Sequence, residues 1–418
     1  MPRSHRGAVE PFHVMEVIKA ASARSVSHGD VISLCAGQPS TPAPAPVRAA
    51  AVAALEGEVL GYTEATGIPE LREAIAAHYA RDYALAVDPE QIVVTTGSSA
   101  GFTALFLAAF DVGDTVAMSR PGYPAYRNTL AALGCSVVEL DCGPASRYQP
   151  TVPMLDALAE RSGPPAGLIV ASPANPTGTI LDASELAAIA RWCDEHGTLL
   201  VSDEIYHGIS FGPRCASAWE TSRNAVVVGS LSKYFSMTGW RVGWLLLPAE
   251  LVRPVELLVG NLNICPPAVS QVAGVAAFTP EARVELDGHV RRYAANRDLL
   301  LRRLPEIGVQ RLAPPDGAFY LYIDVGHLTD DSTRWCQRVL AATGVALTPG
   351  VDFAPATQDA HADPALDGRR FVRWCFAGTT HDMDEAMTRL AAYVGSGSGS
   401  GSGSGEPGPD LAGEGVVR

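Results

Sequence analysis

Short apolar runs alternate with longer amphipathic stretches through the middle of this chain. From about residue 90, the β-branched runs IVVTT, TVAMS, SVVEL, GLIVAS and TLLVSDE are separated by segments whose apolar positions have helical spacing. Strands that alternate strictly with helices form a mostly parallel sheet that is covered on both faces. The pattern therefore predicts an α/β fold with its ligand-binding edge at the carboxyl ends of the strands.

Two further runs, AVVVGS at 225 to 230 and RVGWLLL at 241 to 247, continue the strand pattern. The short gap between them favours a hairpin, which would give the sheet one antiparallel neighbour. We therefore expect a mixed, mostly parallel sheet flanked by helices.

The pattern changes after the helical stretch at 289 to 304. Two strand-like runs, GAFYLYIDV and RFVRWCFA, follow, with helical segments between and after them, which is typical of a smaller α+β domain. The predicted organisation is an N-terminal segment that contributes to the small domain (1–44), a large domain (45–288), the rest of the small domain (289–394) and a flexible Gly/Ser-rich tail (395–418).

Composition and charge narrow the class of protein. Hydrophobic residues make up 47% and charged residues 18% of the chain, as in soluble globular proteins. A net charge of -14 disfavours nucleic acid and anionic membranes as partners. The start lacks the apolar core of a secretory signal, and the eight cysteines show no metal-ligand spacing. We expect a cytoplasmic protein without a membrane span or a metal site.

Two glycine- and serine-rich turns follow predicted strands. In TTGSSAGF, Gly97, Ser98 and Ser99 stand where a strand gives way to a helix, and the free amides of a helix start can hold a phosphate. An ordinary serine cap, or the phosphate turn of a dinucleotide fold, explains the same letters. In ANPTG, Asn175 ends another strand, where it could face a ligand or simply form a turn.

Two charged residues stand within or at the end of apolar strands. Asp203 ends the run LLVSD, with Tyr206 three residues on; it could cap a helix or hold a proton on a heterocyclic nitrogen. Arg373 lies within RFVRWCFA, where it could form a rim ion pair or grip a carboxylate with its planar fork.

Lys233 is unusual because only two of the 31 lysines and arginines in this chain are lysine. It follows a strand end, between Ser230 and Arg241. Three other uses of a lysine each require a sequence motif that the chain lacks. They are a Walker loop, a serine acyl-enzyme with a downstream KTG element and a tyrosine-lysine dehydrogenase pair. An amine, unlike a guanidinium, can lose its proton and form a Schiff base, which favours a chemical role.

In order, the segments AGQPS, GYTEATG, TTGSSAGF, PGYPAY, ANPTG, SDEIYHG, SLSKYFSMTGWRVG and RWCFA resemble the class I and II aminotransferases, which are fold type I pyridoxal-phosphate enzymes similar to aspartate aminotransferase. The resemblance covers the chain from residue 36 to about 394. It implies a large domain that binds pyridoxal 5'-phosphate, a smaller α+β domain and a homodimer with shared active sites.

The resemblance also implies a role for each matching residue. Lys233 would be the Schiff-base lysine and proton shuttle, and Asp203 would pair with the pyridinium nitrogen. The other cofactor-binding residues would be Tyr206 and Asn175 at the phenolic oxygen, Tyr123 on the ring, and Ser98, Ser99, Ser230 and Arg241 at the phosphate, with Tyr62 reaching the phosphate of the neighbouring subunit. Arg373, Asn175 and the backbone near Gly37 would bind the substrate carboxylate. Trp374 and Cys375 depart from the residues that relatives commonly carry.

The implied reaction moves an amino group from an L-amino acid to a 2-oxo acid in two half-reactions. A lyase or cyclase on the same fold is the alternative, because removal of the α-proton also permits elimination. Aspartate-specific relatives can carry a lysine at the position of Ser99, which this chain lacks. The motifs leave the substrate side chain open.

Overall fold

The computed structural model describes residues 4–355 and 366–397. The strands in these ranges are β1 (Ile32–Ser33), β2 (Ile92–Thr95), β3 (Thr115–Arg120), β4 (Ser136–Asp141), β5 (Gly167–Ala171), β6 (Leu199–Asp203), β7 (Val226–Ser230), β8 (Gly243–Leu246), β9 (Tyr320–Asp324), β10 (Val345–Ala346), β11 (Thr348–Pro349) and β12 (Phe371–Cys375). The helices are α1 (His13–His28), α2 (Ala45–Gly57), α3 (Pro69–Tyr83), α4 (Gly97–Ala109), α5 (Pro124–Leu133), α6 (Val152–Ser162), α7 (Ala183–His196), α8 (Ala249–Leu262), α9 (Ala268–Val275), α10 (Pro280–Arg303), α11 (Ser332–Thr343) and α12 (Thr380–Gly395).

The main sheet has seven strands in the order β2-β8-β7-β6-β5-β3-β4. Strands β7, β6, β5, β3 and β4 pair in parallel, whereas β8 is antiparallel to both β7 and β2. The predicted mixed, mostly parallel sheet is confirmed. The antiparallel strand has two antiparallel neighbours instead of one, and a long connection that contains Lys233 joins it to β7.

Both faces of this sheet are buried. In β5, Leu168 and Val170 pack into one apolar cluster while Ile169, between them, packs into another on the opposite face. Strand β7 alternates in the same way, with Val227 on one face and Val226 and Val228 on the other. Burial on both faces explains why the strands are continuous apolar runs without alternating polar positions.

Two small sheets lie outside the main one. Strands β11, β12 and β9 form an antiparallel sheet, and β1 pairs in parallel with β10. The sequence predicted β9 and β12 and the helices α11 and α12, but not the three two-residue strands. The domain boundaries stay a prediction. Helix α10 continues without a break through the boundary predicted between residues 288 and 289. Most of the predicted tail, residues 398–418, lies outside the described residues.

Three parallel strands end side by side at one edge of the main sheet. The carboxyl ends of β5, β6 and β7 are Ala171, Asp203 and Ser230. Polar side chains that follow these strands are therefore brought together although they are far apart in sequence.

Within residues 4–355 and 366–397, no helix has the length and apolarity needed to cross a bilayer.

The start of β8 is packed tightly against the start of α4. A Cβ atom on Gly243 would lie 2.6 Å from the amide nitrogen of Ser98 and 3.0 Å from the carbonyl oxygen of Gly229. We predict that Gly243→Ala lowers the free energy of unfolding by about 1–3 kcal/mol, because backbone atoms would have to move. Gly239→Ala is the matched control, since a Cβ there meets no atom within 4 Å. Equal urea midpoints for the two variants would contradict the prediction.

Candidate active site

A cavity of about 270 Å³ opens at the carboxyl edge of the main sheet. Nine of the predicted site residues line it: Gly37, Ser98, Ser99, Tyr123, Asn175, Asp203, Tyr206, Lys233 and Arg241; so does Arg373 from the small sheet. The structure therefore brings ten of the twelve predicted residues into one cavity. Ser230 and Tyr62 are the exceptions.

Asp203, the last residue of β6, is 3% exposed. Its carboxylate accepts a hydrogen bond from the hydroxyl of Tyr126 and another, at 3.1 Å, from the amide of Ile205. Burial raises the pKa of Asp203 to about 6, although these two bonds and Lys233 oppose the shift. The site therefore favours a cationic partner for this carboxylate.

Lys233 lies on the β7 to β8 connection, and its Nζ donates a hydrogen bond of 2.6 Å to the carbonyl oxygen of Gly37. The ammonium also stands 5.6 Å from the centre of the Tyr206 ring. Desolvation lowers the pKa of Lys233 to about 8. An amine with this pKa is close to the range in which it can give and take a proton at neutral pH.

The start of α4 forms one end of the cavity. Ser98 and Ser99 stand in its first turn, where backbone amides have no partner within the helix. The guanidinium of Arg241 lies beside them. A Cβ atom on Gly97 would be only 2.3 Å from Nη2 of Arg241. Gly97 also has a φ of +71°, which glycine adopts without strain. Helix amides and a guanidinium together form an anion site.

Ser230, the serine predicted at this anion site, is the last residue of β7 and pairs with Gly243 across the sheet. The Ser230 hydroxyl accepts a hydrogen bond of 3.0 Å from the amide of Ser232 and donates one of 3.4 Å to the carbonyl of Val242. Ser232, which the motifs did not indicate, lines the cavity. The phosphate-binding role of Ser230 stays a prediction.

Arg373 is 3% exposed and is held from several sides. Its Nη1 donates to Oδ1 of Asn175 at 2.9 Å and its Nη2 to the carbonyl of Cys35 at 2.6 Å. The guanidinium lies 4.4 Å from the ring centre of Tyr320 and 4.8 Å from that of Phe353. Arg373 is therefore a cavity residue and not the rim ion pair of the alternative interpretation.

Two tyrosines at the cavity, Tyr126 and Tyr320, were not predicted from the motifs. The hydroxyl of Tyr206 lies 2.6 Å from that of Tyr320, and Tyr123 packs edge-on against Tyr126. A Cβ on Gly37 would lie 2.1 Å from the Tyr320 hydroxyl, so a side chain at this position would displace the Tyr320 ring. Tyr126 and Tyr320 could have been found only from the run PGYPAY and the strand GAFYLYIDV, in which many residues could face the site.

Tyr62 lies away from the cavity and is 83% exposed. It lines a separate surface depression whose other lining residues are Leu60, Gly61, Thr96, Asn263, Cys265, Pro266, Pro267 and Ala268. A role at the cavity of its own subunit is therefore excluded by position, and the predicted role towards a neighbouring subunit stays a prediction.

Comparison with known proteins identifies the family. The family described as aminotransferase class I and II matches residues 29–390. The chain belongs to this aminotransferase family. It is 55% identical to the valine–pyruvate aminotransferase of Mycobacterium tuberculosis over 393 residues, which cover 94% of this chain and 98% of that protein. The aspartate/prephenate aminotransferase of Thermus thermophilus is 32% identical, with 88% and 91% covered.

Solved structures agree with this assignment. A crystal structure of an aminotransferase from Mycobacterium tuberculosis matches with a TM-score of 0.89 at 55% identity and covers 95% of this chain and 100% of that one. Aspartate aminotransferase from Thermus thermophilus with maleate matches with a TM-score of 0.85 at 31% identity, covering 94% and 99%. The predicted fold type I architecture is confirmed, and the protein is an aminotransferase that transfers an amino group to a 2-oxo acid.

The raised pKa of Asp203 predicts how the stability of the ligand-free aminotransferase changes with pH. Because the pKa is higher in the folded state, the protonated form stabilises the fold at low pH, and this stability is lost as pH rises through about 6. The side chain in Asp203→Asn stays neutral at every pH. As pH rises from 4 to 8, the native protein should therefore lose about 2–3 kcal/mol of unfolding free energy that the variant keeps. Urea unfolding at both pH values measures this difference. Asp298→Asn, at a half-exposed carboxylate, is the control, and an equal pH response in both variants would refute the prediction.

Proposed function

We propose that this aminotransferase uses pyridoxal 5'-phosphate and that Lys233 is its catalytic residue. The observation that carries the proposal is the position of three groups in one cavity: the desolvated amine of Lys233, the buried carboxylate of Asp203 and the guanidinium of Arg241 at the start of α4. These groups match an aldehyde, a pyridinium nitrogen and a phosphate.

The residues present fit the cofactor. Arg241 can lie against the start of α4 only because position 97 has no side chain. Asp203 is 3% exposed, and an ionised carboxylate with so little contact with water is costly unless a cation faces it. When bound, pyridoxal phosphate would supply an aldehyde that joins amines and a ring that withdraws electrons from the α-carbon.

Each side chain then has a defined task. Asp203 would keep the proton on the ring nitrogen, and the Tyr126 hydroxyl would hold the carboxylate in place. Tyr206 and Asn175 would donate to the phenolic oxygen, and Tyr123 would lie against the ring face. Ser98, Ser99, Ser230 and Arg241 are the proposed phosphate ligands; Ser230 would have to exchange the hydrogen bonds that its hydroxyl makes within the turn.

Lys233 would move the proton at the substrate α-carbon. With a pKa of about 8, it exchanges a proton near neutral pH more readily than an ordinary lysine does. The carbonyl oxygen of Gly37, 2.6 Å from Nζ, keeps the amine directed into the cavity. This is the physical reason why the position takes lysine in a chain whose other cations are nearly all arginine.

Arg373 would bind the α-carboxylate of the amino acid. Its guanidinium is already oriented by Asn175 and the Cys35 carbonyl, and its buried Nε has no hydrogen-bond partner among the described residues. A carboxylate that accepts from the fork would therefore bind to a preorganised group. Asn175 and the backbone at Gly37 border the same space.

We propose a branched aliphatic amino acid as donor and pyruvate as acceptor. The 55% identical relative is named valine–pyruvate aminotransferase. The lining from the N-terminal side consists of Phe12, Val14, Met15 and Ile18, which offer apolar contacts and no charge. Ser99 stands where some aspartate-specific relatives carry a lysine.

We also propose a cytoplasmic homodimer. Tyr62 and Val59 are 83% and 99% exposed, and Ile264 on the neighbouring segment is 53% exposed. Exposed apolar residues grouped in this way are typical of a subunit interface. In such a dimer Tyr62 would reach the phosphate bound by the partner subunit.

Replacement of the amine tests the catalytic assignment. Lys233→Arg keeps a cation but cannot release its proton, so we predict that covalent attachment of the cofactor is lost and that amino transfer falls by at least about 1000-fold. Borohydride reduction followed by mass mapping of the Lys233 peptide measures the attachment. Lys19→Arg, at the other lysine, is the control. Attachment that persists in the Lys233 variant would overturn the assignment.

The substrate proposal is tested by the first half-reaction alone. Holoenzyme mixed separately with valine, isoleucine, alanine and aspartate should convert its cofactor from the aldehyde to the amine form, which absorbance reports. We predict that kcat/KM is at least about tenfold higher for valine than for aspartate, since an apolar wall leaves a second carboxylate unpaired. Faster conversion by aspartate would contradict the proposed substrate class.

A further inference from the structure

Helix α1 begins without a cap of its own. The residue before it, Phe12, has no side-chain atom that could accept from the first free amides of the helix. These amides are bound instead by Asp352, whose Oδ1 accepts from His13 at 2.9 Å and whose Oδ2 accepts from Val14 at 3.0 Å. A carboxylate more than 330 residues away in sequence therefore caps the helix.

Asp352 is itself fixed in place. It is 1% exposed, and its backbone carbonyl accepts a hydrogen bond of 2.8 Å from Arg127 of α5. The next residue, Phe353, lies under the guanidinium of Arg373 at 4.8 Å. One short segment thus contacts both the proposed carboxylate-binding arginine and the start of α1.

The first turn of α1 forms part of the cavity wall. Val14 and Ile18 lie one turn apart and line the cavity together with Phe12 and Met15. Phe12 also packs edge-on against Tyr123, with ring centres 5.9 Å apart. A shift of this turn would therefore change the apolar side of the cavity and leave Lys233 and Asp203 in place.

We propose that Asp352 is a positioning residue that holds the first turn of α1 as the wall of the substrate side-chain subsite, and that this wall selects branched aliphatic side chains. The proposal rests on the proposed function. Asp352 acts through the helix and does not touch the reacting atoms. Its removal should weaken binding of a branched side chain and have little effect on a small one.

The test compares two amino acids in the half-reaction of the holoenzyme. For Asp352→Ala, we expect the valine concentration that gives the half-maximal rate to rise roughly 5–30-fold, the factor that loss of a helix cap produces. For alanine the rise should stay below about threefold, and the limiting rate should change little for both. A residue with a merely structural role would affect both amino acids alike.

Two further variants sharpen the comparison. Asp352→Asn keeps one acceptor oxygen and should give an intermediate rise for valine. Asp331→Ala is the matched control, because Asp331 also caps a helix by accepting from two backbone amides, at 3.0 and 3.1 Å, but caps α11, away from the cavity lining. Asp331→Ala should leave the half-maximal concentrations of both valine and alanine unchanged.

Hydrogen exchange gives a readout that does not depend on turnover. Amides in the first turn of α1 should exchange faster in Asp352→Ala holoenzyme and not in Asp331→Ala. Unchanged exchange, or an equal loss for valine and alanine, would overturn the proposal. If Asp352→Ala does not fold, Ile18→Ala provides the same comparison of valine with alanine. A native enzyme inactive on both amino acids would refute the proposed function, whereas the exchange experiment would still test the cap.

Discussion

The burial of two ionisable groups at one sheet edge is the constraint on which the site depends. Asp203 ends β6 and Lys233 follows the neighbouring strand β7, and desolvation moves their pKa values towards neutrality, to about 6 and about 8. Each charge is costly in such surroundings unless a ligand supplies its partner. The pH dependence of stability in the ligand-free protein and the proposed affinity for a cationic ring are therefore two consequences of the same burial.

Not every buried carboxylate at this sheet edge lines the cavity. Glu204, the next residue, is 4% exposed and accepts hydrogen bonds from Ser202, Ser217 and the amide of Ala218. Burial raises its pKa to about 8, yet Glu204 does not line the cavity. Two adjacent buried carboxylates thus differ in their surroundings, because Asp203 lines the cavity whereas Oε1 of Glu204 accepts from a backbone amide and two hydroxyls away from it.

Much of this arrangement could be predicted from the sequence, because strand ends bring motifs together by topology. The positions of Asp203, Lys233 and Asn175 after apolar runs were sufficient to predict a shared site. Contacts that depend on tertiary packing were not predictable. Tyr126 bonds to Asp203 across 77 residues and Asp352 caps α1 across the length of the chain, without any local pattern that marks them. The two-residue strands β1, β10 and β11 were missed for the same reason, because their pairing and not their local sequence defines them.

An aminotransferase with Lys233 at its reacting centre should transfer nitrogen to a 2-oxo acid and not release it as ammonia. The most direct test is a single experiment with ¹⁵N-labelled valine and unlabelled pyruvate, followed by mass spectrometry of the products. We expect the label to appear in alanine and the 2-oxo acid to form from valine in equal amount. Label recovered as ammonia, with no labelled alanine, would contradict it.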